Sequence, residues 1–393
     1  MAWFAVASIL GAEPGRPIAC RTDVFLQCDA GGWVDDAIRN NNERARGTHP
    51  ALYPCWTRPT HELAKWLAPA IPVESTCTYG SRLLVNLVGG LGIGLLAAGL
   101  RSSGTRFSVL AAFGPLLWFG TGNTITALPD HFGMSVGLLA ASLGFFVSAW
   151  SFRSKAVGLG ILTILCFGVT ITNAVFPAML LGCAIATTYR IRWPWYAATG
   201  LAGVLGLLAV LLILRTQADI RDRVLQRVES CLSLKSIRDP ALAGRHFVRG
   251  LQDSAVGPTP TIGEDNPDEH HPMLTYQDGP YSMWPYDAVQ SCGVAAWWFV
   301  LGLGAIRALR DPRTRFPAIL LMVWIVWNGL LHTTWGDEYF LYTPHYAWAL
   351  MALALLGWRS IPTRWVVLAM VPILGGAIFT LFEFRRLLNA IPY

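Results

Sequence analysis

Two short polar stretches hold the residues best suited to proton transfer and substrate binding, and the first lies near the start of the chain. There, Asp29 follows an apolar run and precedes Gly31-Gly32, and Asp35 and Asp36 follow soon after. A carboxylate held in a turn beyond an apolar segment can accept a proton from a hydroxyl group while neighbouring groups exclude bulk water. Loop acids and helix caps are the common alternative uses of Asp. Asp29, Asp35 and Asp36 are therefore candidates for a catalytic base.

The second polar stretch, residues 332–345, combines Asp337, Glu338 and His345 with several aromatic side chains. Aromatic rings beside polar groups suit a sugar or a lipid headgroup, but an aromatic belt at a membrane interface has the same composition. His345 is expected about one turn inside the following apolar segment, where a polar side chain usually faces a cavity or a partner. These three residues are therefore candidate substrate contacts.

The polar stretch 215–291 begins with basic residues, among them Arg245 and His246, and continues into an acidic centre. Arginine binds phosphate oxygens in bidentate fashion, so this cluster suits a lipid phosphate. An amphipathic helix lying on lipid headgroups is the alternative interpretation. Residues 264–271 include metal-ligand types, but their spacing specifies no ion. The sequence indicates neither a metal nor a cofactor.

The elements that must position these residues are long apolar segments. The chain has 393 residues, of which 53% are hydrophobic and 14% charged, against roughly 25% charged in a soluble domain. Seventeen Trp suit two interfacial belts. We predict an all-α polytopic membrane protein, a single membrane domain over residues 1–393, with about eleven transmembrane helices. The predicted spans are Met1–Ala12, Ser81–Leu100, Phe107–Gly120, Phe132–Trp150, Ala156–Thr170, Ala174–Thr188, Trp195–Leu214, Cys292–Leu309, Phe316–Leu331, Leu341–Trp358 and Trp365–Phe382. The pair within Ala156–Thr188 is either two short helices around Thr172-Asn173 or one long tilted helix.

The distribution of charge predicts which loops share a side of the membrane. Lys and Arg are retained in short cytoplasmic loops, and the short turns near residues 101–106, 153–155, 190–192, 307–315 and 359–364 are basic with a single acid, Asp311. The other acids and all eight His then fall on the opposite, extracytoplasmic side, in loops 13–80 and 215–291 or at outer helix ends. Because the basic residues are spread over short turns, the net charge of +6 does not indicate nucleic acid binding.

Several short motifs carry a resemblance to a known family. They are Asp29 soon after the first span, His49-Pro50-Ala51-Leu52-Tyr53-Pro54 before the second, Leu128-Pro129-Asp130-His131-Phe132, Gly168 with Thr172-Asn173, and the run Trp335-Gly336-Asp337-Glu338-Tyr339-Phe340-Leu341-Tyr342. With the large first outer loop, they resemble the GT-C superfamily of membrane glycosyltransferases, in particular bacterial relatives of polyprenyl-phosphate-mannose protein mannosyltransferases.

The resemblance implies a hexosyl- or pentosyltransferase of the bacterial plasma membrane with its active site on the extracytoplasmic face. A sugar would pass from a polyprenyl-phosphate donor to an acceptor glycan, lipid or protein that the sequence does not specify. The donor and membrane lipids are the expected partners, and no cofactor is needed. The resemblance implies Asp29 as the catalytic base, with Asp35 or Asp36 in reserve. His49, Arg58 and Asp130 join the candidate substrate contacts.

Two alternatives remain from the sequence. An O-antigen ligase or polymerase type of glycan enzyme also has about a dozen spans and a large outer loop, but the first loop with Asp29 argues against it. A secondary transporter would place ionisable residues near the bilayer midplane and often shows internal repeats. Here the spans are nearly free of charge away from their ends, and no repeat is visible.

Overall fold

The structure is a computed structural model that describes residues 73–119, 132–189, 240–264, 272–276, 284–335 and 343–390, together with Glu62 and Trp66. The predicted spans Met1–Ala12 and Trp195–Leu214 lie outside these residues, as do most of the first predicted outer loop and about half of the second. The eleven-span count therefore stays a prediction. Each of the other nine predicted spans corresponds to a helix.

The first half of the described chain forms helices α1 (Val73–Ser102), α2 (Phe107–Phe119), α3 (Phe132–Val147), α4 (Phe152–Val169) and α5 (Val175–Thr188). A 3₁₀ turn over Ile171–Ala174 joins α4 to α5. Of the two interpretations of this region, two short helices is therefore the right one. Thr170 breaks α4 with an extended backbone (φ −149°, ψ 119°), and Pro177 is tolerated in the first turn of α5, where no N–H partner is needed.

The second half forms α6 (Pro240–Asp253), strands β1 (Pro260–Glu264) and β2 (Pro272–Tyr276), and helices α7 (Ala288–Arg310), α8 (Arg315–Trp335), α9 (Pro344–Trp358) and α10 (Thr363–Ala390). The strands pair antiparallel, with Pro260 opposite Tyr276 and Glu264 opposite Pro272. The prediction of an all-α chain is thus incomplete. Thr, Ile and Tyr favour strands, and each Pro begins its strand, where a missing N–H is tolerated.

Helix α9 is the centre of the bundle. All fifteen of its residues are buried, and it packs against α7, α8, α3 and α2. A helix that is apolar on every side is covered either by other helices or by lipid, and here other helices cover it. Its large side chains Trp348 and Tyr346 are fully buried, and its neighbours come from both halves of the chain.

Helices α1 and α3 approach so closely that only glycine fits between them. A Cβ on Gly137 would lie 2.5 Å from the Val88 carbonyl oxygen, and a Cβ on Gly99 would lie 2.6 Å from the carbonyl carbon of Gly144. Small residues allow membrane helices to pack backbone against backbone. The length of this contact fixes α1 along α3.

Four of the five predicted basic turns, near residues 101–106, 153–155, 307–315 and 359–364, lie together at one end of the bundle, here called the basic end. The fifth, 190–192, lies outside the described residues. The contacts at the basic end are Ala149 N to Ser102 Oγ at 3.1 Å, Thr363 Oγ1 to Ser108 Oγ at 2.7 Å, Arg307 Nη2 to Ser360 Oγ at 3.0 Å, and Arg359 Nη2 to Asp311 Oδ2. The opposite end, here called the polar end, holds the 3₁₀ turn, α6 and the start of α7 and α9. This grouping follows from contacts alone. That the basic end faces the cytoplasm stays a prediction.

Three described helices are long and apolar enough to cross a membrane by length and composition, within Val85–Ser102, Ala288–Arg310 and Thr363–Leu387. Shorter apolar helices cover Phe107–Leu116, Gly133–Val147, Thr172–Thr188 and Arg315–Gly329. A segment of about 20 residues spans the hydrocarbon core. These lengths support an integral membrane protein and leave the number of complete spans open.

Candidate functional site

Three of the predicted site residues, Arg245, His246 and His345, fall within the part of the chain that the structure describes, and all three are at the polar end. The others lie outside the described residues: Asp29, Asp35, Asp36, His49, Arg58, Asp130, Asp337 and Glu338. Their roles stay predictions.

His345 is buried, with 2% of its surface exposed, at the second residue of α9. Helix α9 begins at Pro344, so His345 is in its first turn and not one turn inside it. Its Nδ1 lies 3.1 Å from Nδ2 of Asn173 in the 3₁₀ turn. With the amide as donor, Nδ1 is the acceptor and the ring is the Nε2–H tautomer. We expected His345 to face a cavity or a partner, and in the structure it faces a partner, Asn173.

Aromatic side chains enclose this pair. The His345 carbonyl oxygen accepts hydrogen bonds from Nε1 of Trp324 at 3.0 Å and of Trp348 at 2.9 Å. The Phe176 ring lies 5.0 Å from Trp324 and 5.3 Å from Trp348, between ring centroids. Edge-on and tilted aromatic pairs at these distances are favourable. These contacts fix the start of α9 against α8 and α5. His345 is therefore held in place and is suited to positioning its neighbours in the chain.

Helix α6 lies across α8 at the same end. The Phe247 ring occupies the space above Gly329 of α8, where a Cβ would overlap it. Arg245 and His246 of α6 are half-buried, and Arg245 Nε is a buried donor that has no hydrogen-bond partner among the described residues. Leaving such a donor unpaired costs about 1–3 kcal/mol. An anionic oxygen bound beside Arg245 would recover that free energy.

A buried ion pair anchors the far end of α6. Arg249 Nε donates to both carboxylate oxygens of Asp253, at 3.3 and 3.2 Å. The hydroxyl of Tyr286 donates to Asp253 Oδ1 in a short hydrogen bond, and the Arg249 guanidinium carbon lies 5.8 Å from the Tyr286 ring centroid. Burial, followed by the charge of Asp253, raises the pKa of Tyr286 well above its ordinary value. The hydroxyl therefore stays protonated and keeps donating.

The segment after α6 is tied to two membrane helices through Gln290 of α7. Asp287 and Gln290 form a capping box at the start of α7, with bonds of 3.0 and 3.1 Å. Gln290 Nε2 also donates to the Gly257 carbonyl at 2.9 Å and to Thr380 Oγ1 of α10 at 2.8 Å. The described part of the second predicted outer loop is therefore held in place on the bundle.

Sequence reasoning missed Asp253, Tyr286, Gln290 and Thr380. Two local signals were available: Arg249 and Asp253 are four residues apart on one helix, and Asp287-x-x-Gln290 has capping-box spacing. No local signal pairs Gln290 with Thr380, since they are 90 residues apart. Among the described residues, no group of three or more His, Cys, Asp or Glu is placed to bind a metal ion.

Comparisons with known proteins give a structural likeness. No family model matches the chain, and no curated protein matches it. The chain is similar to the crystal structure of ArnT from Cupriavidus metallidurans bound to undecaprenyl phosphate, at 14% sequence identity and a TM-score of 0.47. That likeness covers 98% of this chain and 74% of ArnT. At this identity and TM-score the likeness decides neither the family nor the chemistry of this chain.

Proposed function

We propose that the chain is an integral membrane glycosyltransferase that moves a hexosyl or pentosyl group from a polyprenyl-phosphate donor to an acceptor on the extracytoplasmic face. The motif resemblance supports the reaction class, and the described helices support the membrane location. One observation supports it further: the described helix ends that adjoin the segments with the candidate site residues lie at the polar end.

That observation follows from helix direction. Helix α1 ends at the basic end with Ser102, so the chain before Val73, with Asp29, joins the bundle at the polar end. Helix α2 begins at the basic end beside Thr363, so the segment after it, with Asp130, also joins at the polar end. Helix α8 ends at this end with Trp335 and α9 begins there with Pro344, so the chain between them, with Asp337 and Glu338, also joins the bundle at the polar end. Arg245 on α6 shares the same end.

The proposed reaction is a direct displacement at the anomeric carbon. The acceptor oxygen forms a bond to that carbon while the bond from the carbon to the phosphate oxygen breaks and its electron pair stays on the phosphate. Asp29 takes the acceptor hydroxyl proton, with Asp35 or Asp36 in reserve, and polyprenyl phosphate leaves. The proposed contacts to sugar or phosphate are His49, Arg58, Asp130, Asp337 and Glu338.

The described residues suit the support of such a step. Arg245 presents a donor without a partner in the described chain, on a helix that is fixed at Phe247 and at Arg249. A donor positioned in advance needs little reorganisation when charge develops on a leaving group. His246, half-buried beside Arg245, is a second proposed phosphate contact. The imidazole of His345 is enclosed, so we assign it, with Asn173, to positioning the neighbouring connection 336–342.

The test is a transfer assay on purified protein in liposomes, with a polyprenyl-phosphate sugar as donor, membrane extract as the source of acceptor, and released polyprenyl phosphate as the readout. Asp29→Asn is expected to reduce turnover by roughly 10²–10⁴-fold, the usual contribution of a general base. Asp311→Asn, at an acid of the basic end, is the matched control and should keep wild-type turnover.

Arg245→Gln should weaken donor use by roughly tenfold or more, as expected when a charged hydrogen bond to phosphate is lost. Arg153→Gln, at an exposed arginine near the basic end, is its control. Full activity in the single Asn variants of Asp29, Asp35 and Asp36 would overturn the assigned base. Transport of solute without any sugar-carrier lipid would favour the transporter instead.

A further inference from the structure

An open apolar groove lies between α1 and α2, away from the polar end. It has a volume of about 860 Å³, within the range of roughly 300–1,000 Å³ typical of sites for small molecules. Gly90, Gly94 and Ala97 of α1 form one wall, Leu110 of α2 is in the other, and Leu355 of α9 also contributes. The lining is mostly apolar.

The groove exists because two consecutive helices pack on different partners. Helix α1 packs along α3, whereas α2 packs against α10 and α9. Helices joined by a short turn usually pack against each other, but here the four residues between Ser102 and Phe107 join helices that separate. The space between them is left uncovered by the described chain.

Glycines on α1 divide into two groups. Gly92 and Gly99 contact the backbone of α3, so packing within the chain explains them. Gly90 and Gly94 of α1, and Gly114 of α2, face open space, with no atom of the described residues within 4 Å of an added Cβ. No contact in the described structure requires glycine at these three positions. Their effect is to widen the groove.

A cation borders the groove at the basic end. Arg101 is part of the lining, is exposed, and makes no side-chain hydrogen bond or ion pair among the described residues. Arg106, also exposed, follows in the same turn. The rise of the helix from Asn86 to Arg101 is about 22 Å, somewhat more than the roughly 15 Å of hydrocarbon in one leaflet. The groove therefore joins a positive charge to a path as long as an acyl chain.

We propose that this groove binds one acyl chain of an anionic phospholipid, whose phosphate contacts Arg101, from the leaflet at the basic end. The charge complementarity and the length of the apolar path favour this occupant over a second copy of the chain. Leu87, Leu91 and Phe107, all exposed beside the groove, extend the apolar surface toward the surrounding lipid. This site is separate from the proposed glycosyl transfer and does not depend on it.

Native mass spectrometry of the purified, delipidated full chain tests the proposal by titration with phosphatidylglycerol and phosphatidylethanolamine. Wild type should retain one phospholipid and favour phosphatidylglycerol about fivefold, since a basic residue near anionic lipid contributes about 1 kcal/mol. Gly94→Leu fills the groove and should weaken retention at least tenfold. Gly375→Leu, at another glycine facing open space in the described chain, is the matched control and should bind as wild type.

Arg101→Gln provides a variant that leaves the fold and the groove intact. It should remove the preference for phosphatidylglycerol while phosphatidylethanolamine still binds. Equal retention by wild type and a correctly folded Gly94→Leu would overturn the site, and an unchanged headgroup preference in Arg101→Gln would overturn the role of Arg101. Displacement of the bound phospholipid by polyprenyl phosphate at equal concentration would identify an isoprenoid chain as the occupant. A dimer lost in Gly94→Leu would identify a second copy. Either result would contradict the proposal.

Discussion

The close contact between α1 and α3 gives a sharp stability prediction, because one helix carries both the test and its control. Gly99→Ala places a methyl group against α3, whereas Gly94→Ala places the same group in space that the described residues leave open. Both substitutions gain the same helix propensity, about 1 kcal/mol. The difference between the two variants therefore isolates the contact.

The magnitude follows from the distances. The added Cβ at Gly99 would lie 2.6 Å from the Gly144 carbonyl carbon and 2.7 Å from its Cα, and relaxed carbon contacts need about 3.5 Å or more. The obstacle is backbone, so the helices must separate by roughly 0.8–1 Å. A gap of that size loses a quarter to a half of the dispersion energy at each contact. We expect Gly99→Ala to be less stable than Gly94→Ala by about 1–3 kcal/mol, the usual range for overpacking.

The free energy of unfolding is measured by denaturant titration of both variants and wild type in one detergent mixture. Gly144→Ala, which adds a methyl group to the same contact from α3, should reproduce the loss. If Gly99→Ala and Gly94→Ala differ by less than about 0.5 kcal/mol, a difference too small for overpacking, the backbone contact does not determine the packing of α1 and the reasoning fails.

Three further predictions concern polar groups. Asn173→Leu removes the bond to His345 and should lower the free energy of unfolding by about 1–3 kcal/mol, with a loss of transfer activity larger than the stability loss explains. Tyr286→Phe removes a donor from the buried Asp253 carboxylate and should cost about 1.5–3 kcal/mol. The pKa of Tyr286 in the folded protein is raised, so the stability that its hydroxyl contributes is fully present below about pH 10, the pKa in the unfolded chain. This stability is lost as the pH rises further. Thermal unfolding between about pH 8 and 11 should show the loss in wild type and not in Tyr286→Phe. The Arg313 backbone N–H, and then Arg359, lower the pKa of Asp311. The stability that the Asp311 carboxylate contributes is therefore present above about pH 4, the pKa in the unfolded chain, and is lost as the pH falls through the pKa in the folded protein. Since Asp311 is more than a third exposed, Asp311→Asn should cost under about 1 kcal/mol, and a loss above about 2 kcal/mol in unfolding titrations would contradict this.

Apolar segment length was enough to predict the helices of the bundle, because a membrane span must be apolar over most of its length. Boundaries were less certain: α1 begins at Val73 although its apolar part begins at Ser81, and the polar first turns carry no hydropathy signal. The β1–β2 hairpin was missed because it lies between Pro260 and Tyr276 in a stretch whose composition is that of a loop. Strand pairing there is a contact between two short segments that hydropathy does not detect.

The site was predictable to a smaller extent. The chemical type of Arg245 and His345 marked them as candidates, but no pattern in the sequence indicates that His345 is enclosed by Asn173 and two Trp. That contact joins residues 172 apart, so only the folded bundle defines it. Local spacing could identify the Arg249–Asp253 pair, and no spacing identifies the hydroxyl of Tyr286 as its third member.

The arginines show why residue type alone cannot locate an anion site. Arg307 Nε donates to the Gly357 carbonyl at 3.1 Å and Arg315 Nε to the Leu309 carbonyl at 2.8 Å, where cations favour the negative ends of helices. Arg249 is neutralised by Asp253 within its own helix. These three arginines take part in contacts that stabilise the fold. Arg245 differs because its buried Nε has no partner among the described residues, and Arg101 differs because it borders an apolar groove. A phosphate at the polar end and a phospholipid at the basic end are therefore separate sites, and substituting either arginine should leave the function of the other unchanged.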